Sequence, residues 1–208
     1  PVHVRGLENG AVVDRVDRVT SVRRALSTAI DWEEVVRIAV DEAEIILSNT
    51  GDAGFAPRAA DGAAQFDQDM SYPSKLCLLL RARFDSGAAP VQVMPTELVS
   101  DNGQVLKRRV LELAASHPQG FSDYLSEEVT WINSLVDRIV SQPLEPAGAV
   151  AEPYALWAIE AQDRLLLPCR HPAIRVDANL ERAESLKLFL LNLAHTMLAE
   201  DWLASPGE

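Results

Sequence analysis

Two short apolar runs constrain the fold of this chain more than anything else in it. Glu44-Ile45-Ile46-Leu47 breaks off at Ser48-Asn49-Thr50, and Val91-Gln92-Val93-Met94 breaks off at Pro95. Each stops at turn-forming residues, as a strand buried in a parallel sheet does. Between them, Ser71-Tyr72-Pro73 starts a helix, with Ser71 or Tyr72 near the cap and Pro73 in the first turn; the helix is expected to run to about Phe84. Another is expected over Val105 to Ser116, and an earlier one over Trp32 to about Asp41, capped by Asp31 with Glu33 and Glu34 in its first turn. Strand and helix thus alternate over roughly the first 140 residues, which predicts a parallel α/β sheet.

The remaining segments are read in the same way. Residues 2–5 alternate like a strand, Glu8-Asn9-Gly10 is a turn signal, and Ala11-Val12-Val13 returns as the second arm of a hairpin. Val19 to Ala29 gives no firm pattern, and Asp52 to Met70 reads as a long loop. Phe121–Leu125 and Val129–Ile139 read as helical or mixed. Ser141 to Glu152, with Pro143, Pro146 and Pro153 just beyond, reads as a linker or domain boundary. A strand-like piece around Tyr154 to Ile159, a proline-punctuated stretch and an apolar helix complete the chain.

That helix carries the residues best suited to chemistry. At about 100° per residue, Glu184, Lys187, Asn192 and His195 fall within an arc of roughly 140° on an otherwise leucine-rich segment. Charged and amphoteric side chains share a face with leucines mainly when they are paired or line a pocket. Taken alone, Lys187 could instead extend its amine to water and His195 could be a satisfied core histidine. Ligands of open α/β sheets bind outside the carboxyl ends of the strands. Two loops hold that position here, Ser48 to Gly54 and Glu97 to Gly103, each with Asn close to Gly. Either could also be an ordinary turn.

The formal net charge of −12 argues against nucleic acid or an anionic membrane as partner, but leaves room for a local positive pocket. Cys77 and Cys169 lie far apart without CxxC spacing, so neither a disulfide framework nor a metal site is expected, and a reducing, cytoplasmic setting is. No stretch approaches a transmembrane helix in length, and Pro-Val-His-Val-Arg-Gly lacks the pattern of a signal peptide, so the chain is expected to begin inside a domain. His3, His117 and His171 have no partner at metal-ligand spacing and read as surface or structural. Arg58 and Lys75 are positive charges near the first loop, without an assigned role.

Five motifs occur in order: Ser48-Asn49-Thr50-x-x-Ala53-Gly54, Ser71-Tyr72-Pro73-x-Lys75-Leu76, Glu97-Leu98-x-x-x-Asn102-Gly103, Asn133-Ser134-Leu135-Val136-Asp137-Arg138-Ile139 and Lys187-x4-Asn192-x2-His195. Together they resemble the mannitol dehydrogenase family of long-chain, zinc-independent polyol dehydrogenases, and within it the tagaturonate and fructuronate reductases. The resemblance implies an α/β fold, a partial Rossmann-type parallel sheet followed by the start of a mainly helical domain. It divides the chain into residues 1–145, part of an NAD-binding domain, and 146–208, the start of a helical substrate domain. It implies Lys187 as acid/base, Asn192 holding the reacting oxygen and His195 orienting the substrate. Asp137, Glu184 and Asn102 would lie on the substrate side, and Ser48, Asn49 and Thr50 on the side of NAD. The partner would be a small sugar acid or polyol.

The chemistry suits these residue types. Hydride leaves a carbinol carbon only as its hydroxyl loses a proton, so a base must lie within hydrogen-bond reach. An amide can stabilise the developing alkoxide, and NAD supplies the hydride chemistry. There are departures from the family pattern. No GxGxxG turn occurs in the sequence, and it would be expected upstream of Val4; further helices would be expected beyond Glu208. Leu193 stands where the family has glycine, and Leu98 follows Glu97 where the mannitol branch has asparagine. The expected function is an NAD-dependent oxidoreductase interconverting a sugar acid or polyol and its keto form. The alternatives are a truncated, inactive paralogue acting as a binding or assembly module, and a sugar-acid binding protein without turnover.

Overall fold

The computed structural model describes residues 1–51 and 53–205; Asp52, in the first of the two loops, and residues 206–208 lie outside the described residues. The central unit is the expected parallel α/β sheet. Strands β3 (Ile45–Ser48), β4 (Gln92–Pro95) and β5 (Thr130–Trp131) lie side by side in chain order, each pair parallel. Helix α2 (Tyr72–Ser86) joins the first two, and α3 (Asn102–Ala114) leads towards the third. Every residue of β4 is buried, and its alternating side chains serve two cores. Val93 packs with Leu76 and Leu80 of α2 and Leu106 and Val110 of α3. Met94 faces the other way, onto Ile132 and Ile159. Burial on both faces is why this run shows no polar alternation.

Local chemistry sets the helix ends. Ser71 caps α2 by accepting from the Ser74 amide at 3.4 Å, and Gly87 ends it in a left-handed conformation (φ 67°). Helix α1 (Trp32–Asp41) forms where expected, but Asp31 makes no side-chain cap; its carboxylate instead accepts from the Ser27 amide at 2.8 Å. Helix α3 starts at Asn102, earlier than Val105, because Gly103 lets the first turn press against the Ile132–Asn133 backbone. A Cβ on Gly103 would lie 2.5 Å from the Ile132 carbonyl oxygen. Helix α4 (Gln119–Asp123) runs on into a π-helical turn over Tyr124–Glu128.

The hairpin forms as the turn signal predicts. Strands β1 (Val2–Glu8) and β2 (Ala11–Asp17) pair with Glu8 opposite Ala11, and Asn9 and Gly10 both take positive φ, the conformation of a type I′ turn. The linker expected over Ser141 to Glu152 is not one. Strands β7 (Val140–Leu144) and β8 (Gly148–Ala151) form a second hairpin there, and β8 pairs parallel with β1 to make a four-stranded sheet. The prolines fit this because Pro143 lies on β7, an edge strand, where a missing N–H costs little. This pairing crosses residue 145.

The stretch Val129–Ile139, read as helical or mixed, is extended: after β5 comes β6 (Ser134–Asp137). It pairs with β9 (Leu156–Glu160), which pairs in turn with β10 (Ile174–Asp177). Helix of the last part begins only at Glu181: α5 (Glu181–Leu186), a π-helical turn (Lys187–Asn192) and α6 (Leu193–Ala204).

Candidate active site

The loops at the carboxyl ends of β3 and β4 are tied together by one buried carboxylate. Glu97 is 4% exposed and accepts three hydrogen bonds: from Ser48 Oγ (2.9 Å), the Thr50 amide (3.0 Å) and Thr50 Oγ1 (2.8 Å). Thr96 closes the same corner, its amide and Oγ1 both donating to the Ser48 carbonyl. Tyr72 lies beside this corner. Burial raises the pKa of its hydroxyl above the ordinary tyrosine value, and the nearby Glu97 carboxylate acts in the same direction. Its hydroxyl is buried and has no hydrogen-bond partner among the described residues.

A cavity of about 260 Å³ opens on this corner, lined by Asn49, Gly51, Thr96, Glu97, Asp137 and Lys187 among others. The structure thus brings both strand-end loops, the Asp137 motif and the Lys187 helix to one place. Lys187 is well anchored there. Its Nζ donates to the Val136 carbonyl at 2.9 Å and lies 3.4 Å from Asp137 Oδ1, with the two side chains 12% and 19% exposed. An amine in this setting has a fixed position and an acceptor on one side, with the cavity on the other. Lys187 starts a π-helical turn, a local widening common at functional sites.

A second cavity, about 280 Å³, puts Lys187, Asn192 and Glu184 opposite Leu98, Val99 and Ser100. Ser100 Oγ reaches Glu184 Oε2 at 3.4 Å. The wider turn departs from the 100° spacing of a regular helix. Lys187, Asn192 and Glu184 share a cavity wall. His195 is exposed and makes no hydrogen bond or ion pair among the described residues.

Two expected roles change on this geometry. Asn102 is 1% exposed and its amide is fully used. Nδ2 donates to the Pro95, Glu97 and Ser134 carbonyls, and Oδ1 accepts from the Gly103 and Ser134 amides. An amide has two N–H groups and two lone pairs, so none remains for a substrate; Asn102 fastens the Glu97 loop to β6. Likewise the side chains of Ser48 and Thr50 are engaged by Glu97, and of the three residues expected on the cofactor side only Asn49 lines the strand-end cavity. Glu97, Thr96 and the Val136 carbonyl take part in the site although the sequence reading gave them no role there. The signal for Glu97 was present: an acid two residues after the end of an apolar strand has to be paired if it is buried with it.

The strand-end cavity has groups that could hold part of a dinucleotide. Asn49 and the Gly51 backbone, at φ 77°, offer amide and closely approachable peptide groups around a cavity that reaches Lys187. Among the described residues no group of three or more His, Cys, Asp or Glu could hold a metal ion. No helix among them is long and apolar enough to cross a membrane.

Comparison with known proteins follows the same lines. A family model for the mannitol dehydrogenase Rossmann domain matches residues 2–166. An altronate oxidoreductase of Halalkalibacterium halodurans is 32% identical over 221 residues, which cover 95% of this chain and 43% of the relative. One from Klebsiella pneumoniae is 32% identical over 223 residues, covering 94% and 46%. The chain therefore spans a little under half the length of the curated relatives it matches. Among solved structures, Pseudomonas fluorescens mannitol 2-dehydrogenase in a ternary complex with NAD and D-mannitol superposes with a TM-score of 0.71 at 18% identity, over 90% of this chain and 43% of that one. A substrate-free D-sorbitol dehydrogenase superposes at 0.69 and 20%, over 87% and 43%. At these identities the two structures speak for the fold.

Proposed function

The chain belongs to the mannitol dehydrogenase family, and on that basis we propose that it forms the central part of an NAD-dependent oxidoreductase interconverting a sugar acid or polyol and its keto form. The observation that carries this reading is the placement of Lys187. It is held by Val136 O and Asp137 at the rim of a cavity built by the carboxyl ends of β3 and β4. That is where a parallel α/β sheet binds its ligands. Relatives named altronate oxidoreductase favour a sugar acid over a neutral polyol.

In this reading Asn49 and the Gly51 backbone hold the nicotinamide end. NAD, when bound, supplies the hydride chemistry. Lys187 takes the proton from the substrate hydroxyl in oxidation and returns it in reduction. Asp137 and the Val136 carbonyl fix the amine, so the proton moves over a short, constant path. Asn192, on the wall shared with Lys187 and Glu184, donates to the oxygen on which charge develops. Residues 1–145 are assigned to the cofactor side and the helix from Glu181 onward to the substrate side.

The test is a fluorescence titration of NADH followed over the four tryptophans, then reduction of tagaturonate by the same protein. Saturable binding in the micromolar range and consumption of NADH support the reading. Absence of both overturns it.

A further inference from the structure

A third cavity, about 380 Å³, shares Lys187 with the two already described. Its lining is rich in hydrogen-bond donors: Tyr154, Arg175, Asn179, Arg182 and Lys187, with Asp177 as the one carboxylate among the described lining residues. Three cations facing one acid make a positive site in a protein of net charge −12.

The charges in it are arranged to receive an anion. Arg175 and Asp177 alternate onto one face of β10, and Arg175 Nη2 lies 3.3 Å from both Asp177 oxygens, which orients the guanidinium and leaves its other donors open. Lys187 has its own acid, Asp137, which does not line this cavity. Asn179 Oδ1 accepts from the Glu181 amide at 2.6 Å, so its amide N–H groups are left to donate. Arg182 has neither an ion pair nor a hydrogen bond among the described residues. The unpaired Arg182 guanidinium and the remaining donors of Arg175, beside an amide donor, match a carboxylate, which arginine can hold through two parallel bonds.

We propose that this cavity holds the acid group of the substrate. Arg182 and Arg175 bind the carboxylate of an open-chain sugar acid whose reacting hydroxyl lies at Lys187. The proposal rests on the reading of Lys187 as acid/base. It also makes Arg182 and Arg175 the residues that separate sugar acids from neutral polyols of the same length.

The test compares D-altronate with D-altritol, the same chain carrying a hydroxymethyl group in place of the carboxylate. Each is titrated calorimetrically into the wild-type protein, Arg182→Gln and the Arg175→Gln/Arg182→Gln double variant. Both arginines are exposed, so the variants should fold, and unchanged thermal unfolding checks this. Altronate should bind at least about tenfold more tightly than altritol. Arg182→Gln should weaken altronate by about 10- to 100-fold, the range of a charge-assisted pair, and leave altritol unchanged. Equal affinities for the two ligands, equal loss for both in Arg182→Gln, or no binding of altronate would overturn the proposal. Failure of the catalytic reading has a different signature: altronate bound through the arginines but not oxidised in the presence of NAD.

Discussion

Removing the Glu97 carboxylate should loosen the loop that shapes the candidate site, and the size of the effect follows from its partners. Ser48 Oγ, the Thr50 amide and Thr50 Oγ1 all donate to it. In Glu97→Ala the Thr50 groups, on an exposed residue, turn to water, at a cost of about 1 kcal/mol each. Ser48 is 6% exposed and its hydroxyl is left without a partner, at about 2 kcal/mol. The loss should therefore total about 3–4 kcal/mol. With a urea slope of about 2 kcal/mol/M, the unfolding midpoint followed by tryptophan fluorescence should fall by roughly 1.5–2 M. Glu97→Gln keeps an acceptor for Thr50, and its amide can donate to a turned Ser48 hydroxyl, so its loss should stay near 1 kcal/mol. Hydrogen exchange at the Thr50 amide should speed up sharply in the alanine variant and little in the glutamine one. A midpoint shift below about 0.5 M for Glu97→Ala, or equal shifts for the two variants, would refute the reasoning.

Other substitutions and conditions give further checks. Gly103→Ala puts a Cβ 2.5 Å from the Ile132 carbonyl oxygen, backbone that cannot turn aside, and should destabilise the protein by at least about 2 kcal/mol in the same urea assay. Burial pushes the Cys77 thiol up to about 12, only partly countered by Arg81, whereas Cys169 is exposed. Iodoacetamide at mildly alkaline pH should therefore label Cys169 alone until urea unfolds the chain, as read by peptide mass spectrometry. Burial raises the Asp61 carboxyl, but hydrogen bonds from the Arg58 and Ser71 amides, Ser71 Oγ and Arg109 outweigh it and hold it below the usual range. A depressed folded value stabilises above the unfolded one and is lost as pH falls. The stability gap between wild type and Asp61→Asn should thus be open at neutral pH and close below about pH 4.

What was legible in the sequence was local. The runs ending at Ser48 and Pro95, the Ser71 cap, the Asn9-Gly10 turn and the Asp137 and Lys187 motifs carry their geometry in a few adjacent residues. What was not legible depends on distant partners. Gly148-Ala149-Val150-Ala151 is a strand held between β7 on one side and residues 2–4 on the other, and the neighbouring prolines read as a linker until those pairings are known. Strand β10 lies in a proline-punctuated stretch and exists by pairing with β9. Asn102 looked like a ligand contact because an asparagine beside glycine in a strand-end loop can be either a contact or a bracket. Only its saturation by Pro95, Glu97 and Ser134 decides between them. The π-helical turn at Lys187–Asn192 leaves no mark in a spacing read at 100° per residue.

The most direct measurement is steady-state reduction of tagaturonate with NADH by the wild-type protein and by Lys187→Ala. Lys187 as acid/base predicts a fall in kcat of about 10²- to 10⁴-fold in the variant with NADH affinity kept. A variant that turns over at the wild-type rate, or a wild-type protein with no turnover, would contradict it.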